Sequence, residues 1–194
     1  MKKFFTSFAI ALFACIGAQA QSIVINKTDG TSVTYQASEI SSINFQPAQQ
    51  NSIAGSYTGK DSVNVGKMFP YTSAAEVTYQ VTENSDGTVN LLVPEVEYDQ
   101  TVMGTLYLGS YSIKNIPYDE TQKAYVKAYK NDNVVFHFKS VDANGKTTID
   151  KDYTFDKDVC QVIISKDADG VLTVSNTYQM GSMPFVIYGT FRGK

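Results

Sequence analysis

Tryptophan is absent from this chain, histidine occurs once and cysteine twice. The lone His137 cannot supply the two or three nitrogen ligands of the usual catalytic zinc site. In the run Val134 to Phe138 it alternates onto the face of Val135 and Lys139, the polar face of a strand. No Gly-x-Ser-x-Gly elbow is present to hold a serine nucleophile. No catalytic, cofactor-binding or metal-binding residue is therefore expected, and the chain reads as a non-enzyme.

Clustered positive charge is also missing. With 16 basic and 19 acidic residues the net charge is −3, and nucleic acid needs grouped Lys and Arg to neutralise its phosphates. Long apolar runs are confined to the beginning. Two lysines, an apolar stretch from Phe4 to about Gly17 and Ala18-Gln19-Ala20 read as a signal peptide over residues 1–20. Thr6 and Ser7 interrupt that stretch, which falls short of the ~20 residues a spanning helix needs. The expected mature chain therefore has no transmembrane helix. Its location is the periplasm, the outer-membrane surface or the medium. A competing reading, lipid attachment at Cys15 within Leu12-Phe13-Ala14-Cys15, is disfavoured by the bulky Phe13.

Loss of Lys2 and Lys3 with the leader takes the net charge from −3 to −5 and leaves 174 of the 194 residues. Cys15 leaves too, so Cys160 is the remaining thiol and no internal disulfide can form. Its neighbours Val159, Val162 and Ile163 place it in a strand as a small apolar residue. Nothing in its sequence context supplies the base or helix start that would activate it.

The stretch Ala54 to Ser62, AGSYTGKDS, resembles a phosphate loop at first sight. Only three residues separate Gly55 from Gly59, however, and Asp61 stands where the magnesium-binding hydroxyl belongs. Its alternation reads instead as a strand.

What the chain does have is aromatic and β-branched residues in short alternating runs, including 13 tyrosines and 11 phenylalanines. Asp29-Gly30, Asp86-Gly87, Asn144-Gly145 and Asp169-Gly170 punctuate them, each a hairpin signal. Residues 21–45 form a hairpin module, with Ile23 and Ile25 answered by Val33 and Tyr35 and a third run at Ile40, Ile43 and Phe45. Residues 46–52 read as a linker. Residues 53–194 carry strand candidates at 53–65, 74–82, 88–93, 101–108, 111–116, 125–129, 134–141, 147–155, 160–165, 171–177 and 185–191. The spacing predicts an all-β, antiparallel barrel or sandwich, in which closure removes exposed edges.

Two ends of that region carry a family likeness. Ala54-Gly55-Ser56-Tyr57-Thr58-Gly59 opens the first strand and Tyr188-Gly189-Thr190-Phe191-Arg192-Gly193 ends the last. Between them lie Met103 to Gly109, Tyr111-Ser112-Ile113 and Met180 to Phe185. In this order the segments resemble the calycin-like β-barrel family of secreted bacterial proteins, a distant relation of the lipocalins. The resemblance implies a calycin/lipocalin-like barrel over 53–194 with a short N-terminal β-hairpin module. It further implies that Gly55, Tyr57 and Arg192 close the barrel, the Arg192 cation lying on the Tyr57 ring in a contact of about 0.5–2 kcal/mol.

Two functions are expected from this. The first is an exported, non-catalytic protein that takes a small or lipid-like ligand into the barrel. The second is a structural or interaction module of the cell envelope with a solid barrel, whose Ser22 to Phe45 hairpin offers a protein partner an edge. Two further groupings carry chemistry on paper. Ser165 to Gly170 spaces oxygen ligands like part of a calcium loop, with Asn176 where the bidentate Glu belongs; a hairpin turn accounts for the same residues. Glu95, Glu97, Asp99, Asp119 and Glu120 lie near Tyr98 and Tyr118, as in carbohydrate sites, or simply along a solvated strand edge.

Overall fold

The computed structural model describes residues 22–27, 30–42 and 52–194. Contacts divide the chain into two compact units, Met1–Gln49 and Gln50–Lys194. The expected leader, Ile43 and Phe45 of the hairpin module, and residues 46–51 of the expected linker lie outside the described residues.

In the first unit β1 (Ser22–Asn26) and β2 (Ser32–Gln36) pair antiparallel, with Ile23 opposite Tyr35 and Ile25 opposite Val33. A short 3-10 turn, Ala37–Glu39, follows. The register is the one the alternation predicts. Val24, Ile25 and Tyr35 remain exposed, and a pair of strands is marginal in water without further burial.

The second unit is all strand. Its elements are β3 (Gly55–Val65), β4 (Phe69–Thr72), β5 (Val77–Glu83), β6 (Val89–Val93), β7 (Val96–Thr101), β8 (Gly104–Leu108) and β9 (Tyr111–Ile116). There follow β10 (Tyr118–Asp119), β11 (Ala124–Ala128), β12 (Val135–Val141), β13 (Thr147–Thr154), β14 (Gln161–Lys166), β15 (Leu172–Tyr178) and β16 (Ile187–Gly193). One sheet runs β10-β11-β14-β15-β16-β3-β5-β6-β9, with β4 also on β3; a second runs β13-β12-β8-β7. The chain passes between sheets at Pro94-Glu95 and again at Gly109-Ser110, so β6–β7 and β8–β9 make one bent hairpin. The long sheet curls until β9 meets β10 through Pro117, giving a nearly closed antiparallel barrel.

The four glycine signals share one geometry. In each loop the first residue's N–H donates to the carbonyl four residues on, as from Asn84 to Thr88 and from Asp142 to Lys146, and the glycine N–H donates back. Among the described residues of these loops only the glycines carry positive φ, between 80° and 83°. These are three-residue loops ending in a left-handed glycine, rather than two-residue turns that would need positive φ at Asp86, Asn144 or Asp169 as well. The Ser165 to Gly170 segment is one of them, and the Asp167 carboxylate accepts the N–H groups of Asp169 and Val171.

Three sequence expectations need correction. Residues 101–108 are not one strand: the chain reverses at Val102-Met103, and Gly104, at φ 88°, admits the approach of the Val141 carbonyl. The strand β7 was hidden because Glu97 and Asp99 occupy its outer face, while Val96 and Tyr98 are buried behind them. Barrel closure also differs from the expectation. Tyr57 points inward and Arg192 outward, since Arg192 follows the buried Phe191 and lies beside Lys60 and Thr173 in the ladders. The cation–π contacts among the described residues join Lys67 to Tyr188, Lys139 to Tyr107 and Lys151 to Tyr153. The Tyr57 ring lies over Gly55 and its hydroxyl donates to the Ile53 carbonyl at 2.8 Å. Phe191 supplies the closing ring, stacked on Tyr79 at 4.0 Å.

Gly59 permits the β3–β16 seam. A Cβ there would stand 2.0 Å from the Arg192 carbonyl oxygen, so Gly59→Ala is expected to destabilise the barrel by about 1–3 kcal/mol through overpacking. A urea denaturation series on Gly59→Ala and on an exposed Thr58→Ala control checks this, and equal midpoints would contradict it.

Candidate ligand cavity

Inward positions of β3, β8, β12, β13 and β16 surround a cavity of about 320 Å³. Val63, Leu106, Leu108, Phe138 and Ile187 form its apolar walls, and the β15–β16 connection contributes Met180 and Met183. Ile149, Lys151 and Tyr153 enter from β13 at alternate positions, so one face of that strand serves the cavity while Asp150 and Asp152 face away toward His137. Among the described residues Lys151 is the single charged one in the lining. Phe69, Val102 and Met103 belong to the lining yet are exposed, Val102 by 77%. Met68 and Phe185, also exposed, flank Gly66 in the β3–β4 turn.

Beside this space lies a second, of about 20 Å³, bordered by Asp61, Tyr79, Tyr98, Tyr111, Asn176 and Tyr178. Val63, Tyr98, Leu108 and Tyr178 line both. Alternation along β3 turns Asp61 inward with Tyr57, Gly59 and Val63, and the residue is 4% exposed. Its carboxylate accepts hydrogen bonds from the Tyr98 hydroxyl at 2.7 Å and from the Tyr79 hydroxyl. Desolvation outweighs those two bonds and pushes the Asp61 carboxyl up to about 6. A second branch runs from Tyr129 to the Asn176 carbonyl at 2.7 Å, while the Asn176 amide donates to the Tyr111 hydroxyl at 2.8 Å. Burial holds Tyr79, Tyr98, Tyr111, Tyr129 and Tyr178 all well above the ordinary phenol range.

The family model described as calycin-like beta-barrel domain matches residues 53–194, more than two thirds of the chain. The chain belongs to that family. No curated protein and no solved structure matches it. Within this calycin-like barrel Gly55 and Tyr57 sit at one end of β3, clear of the wide cavity's lining, and Arg192 is outside.

The other residues singled out in the sequence are dispersed. His137 is exposed and held above its usual pKa first by its hydrogen bond to Asp152 at 2.8 Å and also by Asp150 at 2.9 Å. Cys160 is fully buried, and burial raises its thiol. Glu97 and Asp99 face out from β7, and Asp119 accepts the N–H groups of Thr121 and Gln122. Tyr98, noted only as a neighbour of acids, proves central. Asp61, the residue that breaks the phosphate-loop pattern, alternates with Tyr57 and Val63 and so shares their buried face.

Proposed function

We propose that this calycin-like barrel is an exported, non-catalytic binding protein that holds a small hydrophobic ligand in the 320 Å³ cavity. The carrying observation is that cavity itself: apolar walls, a single charged lining residue and an exposed apolar rim. Its volume lies at the small end of the ~300–1,000 Å³ typical of ligand sites. A solid barrel would have left no such space.

The test is displacement of a neutral, environment-sensitive naphthalene fluorophore from the full mature chain. Leu106→Trp, which puts a larger ring into the wall, is expected to weaken fluorophore binding at least about tenfold, since a ligand then loses room for several methylenes worth ~0.8 kcal/mol each. Undiminished binding by a folded Leu106→Trp protein would move the site elsewhere. Export is part of the same reading: the mature protein is expected to begin near Gln21, checked by mass spectrometry of the N-terminus. A lipid-modified Cys15 in that experiment would overturn it.

A second reading attaches to the first unit alone. Val24, Ile25 and Tyr35 are exposed on a two-stranded hairpin, which suits addition of a partner strand from an envelope protein. Deletion of residues 22–52 with unchanged localisation and partners would sink that role.

A further inference from the structure

The wide cavity is apolar, yet a buried carboxylate stands beside its floor. Asp61 is 4% exposed, and among the described residues the side-chain partners of its carboxylate are two neutral phenols. No cation among the described residues forms an ion pair with it. Buried charges in proteins are ordinarily paired, because removing a carboxylate from water is expensive and two neutral donors offset only part of that.

Space and a hydroxyl without a hydrogen-bond partner belong to residues of one lining. The 20 Å³ space bordered by Asp61 admits one water-sized group. Tyr178, 3% exposed, borders both spaces, and its hydroxyl has no hydrogen-bond partner among the described residues, whereas the hydroxyls of Tyr79, Tyr98, Tyr111 and Tyr129 are all engaged. Tyr98, Tyr111 and Tyr178 all border the smaller space, so three aromatic rings stand near any positive charge placed there.

We propose that Asp61 anchors the ammonium group of a hydrophobic amine whose apolar body fills the wide cavity. This rests on the ligand-binding reading above and names its chemical class. A primary ammonium is about the size of a water. It donates to the Asp61 carboxylate and to the unused Tyr178 oxygen and supplies the missing counter-charge. A carboxylate-headed amphiphile would place like charge beside Asp61. Its attraction would have to come from Lys151, which lines the wide cavity but is exposed and sits over the Tyr153 ring.

Titration calorimetry of the mature protein at neutral pH with hexylamine, hexanol and hexanoate separates these cases. Hexylamine is expected to bind at least about tenfold more tightly than hexanoate, the low end for a close charge pair. Asp61→Asn should remove that preference while changing hexanol affinity less than about threefold. Because Asp61→Asn disturbs two tyrosine hydroxyls and can affect folding, Tyr178→Phe serves as the second variant. It deletes an unpartnered oxygen, so it should melt like the parent yet bind hexylamine about fivefold more weakly, as for one lost hydrogen bond. Equal or stronger binding of hexanoate, or hexylamine affinity indifferent to both substitutions, overturns the proposal and leaves a plain apolar site. Failure of all three probes to bind overturns the binding function itself.

Discussion

Phe155→Ala is expected to lower the unfolding free energy of the barrel by about 3–5 kcal/mol, the range for truncating a buried phenylalanine. Phe155 is 1% exposed and lies at the centre of a ring cluster. It stacks on Phe136 at 4.5 Å and meets Tyr111, Tyr129 and Tyr178 edge-on at 5.0, 5.6 and 5.2 Å. Tyr111 and Tyr129 are tied to Asn176 by hydrogen bonds, so these rings cannot close over the void without breaking them. That favours the upper part of the range, since the cost of a cavity grows as its walls fail to collapse. The melting temperature should fall by roughly 10 °C, at ~2–4 °C per kcal/mol for a domain of this size. Urea unfolding with an unchanged slope provides the check. A loss below about 1 kcal/mol would mean that the cluster repacks freely.

The second large effect is a pH dependence. The Asp61 carboxyl stands at about 6 in the folded barrel against an ordinary 3.8. The native state therefore holds this proton where the unfolded chain has released it, and the group's contribution to stability falls as pH rises from about 4 through 6. The span corresponds to about 3 kcal/mol, at ~1.36 kcal/mol per pH unit of difference. Facing groups are Tyr79 on β5, Tyr98 on β7, Tyr111 on β9 and Tyr178 on β15, and all stay neutral across that window. Asp86, Asp119 and Asp158, lowered by their own hydrogen bonds, act below the window. His137, raised by Asp152 and Asp150, acts above it. Urea midpoints of the parent and of Asp61→Asn, taken from about pH 4 to pH 7, isolate the effect: the parent should lose ground relative to the variant as pH rises. Parallel curves would show that Asp61 does not titrate in that range.

Much of this architecture is legible in the chain because its signals are local. Each Asp-Gly or Asn-Gly fixes a loop whose hydrogen bonds stay within five residues, and alternation along β3, β5 and β15 marks which side chains face in. Parity alone would have placed Arg192 outside, since it follows the buried Phe191; a family resemblance pointed inward and was misleading there. Parity would also have put Asp61 inside. What alternation cannot disclose is which inward rings meet. Tyr98 reaches Asp61 from 37 residues away, and Asn176 reaches Tyr111 from 65. Those encounters follow from sheet curvature and from the crossings at Pro94-Glu95 and Gly109-Ser110. The cavity is likewise a collective property: Tyr107 and Tyr188 sit outside beneath lysines while Tyr98 and Tyr178 border the space within.

Two walls of the cavity, β13 and β7, stand at the edges of the second sheet. β13 pairs with β12 and, among the described residues, with no strand on its other side. Ile149, Lys151 and Tyr153 therefore line the cavity from a strand laddered on one side only, with Gly181 so close to the Tyr153 ring that a Cβ there would stand 2.9 Å from it. Asp150, Lys151 and Asp152 meanwhile deter a foreign strand from sealing the gap. A strand laddered on one side only has fewer backbone hydrogen bonds to lose, so local opening of β13 is expected at a free energy well below that of global unfolding.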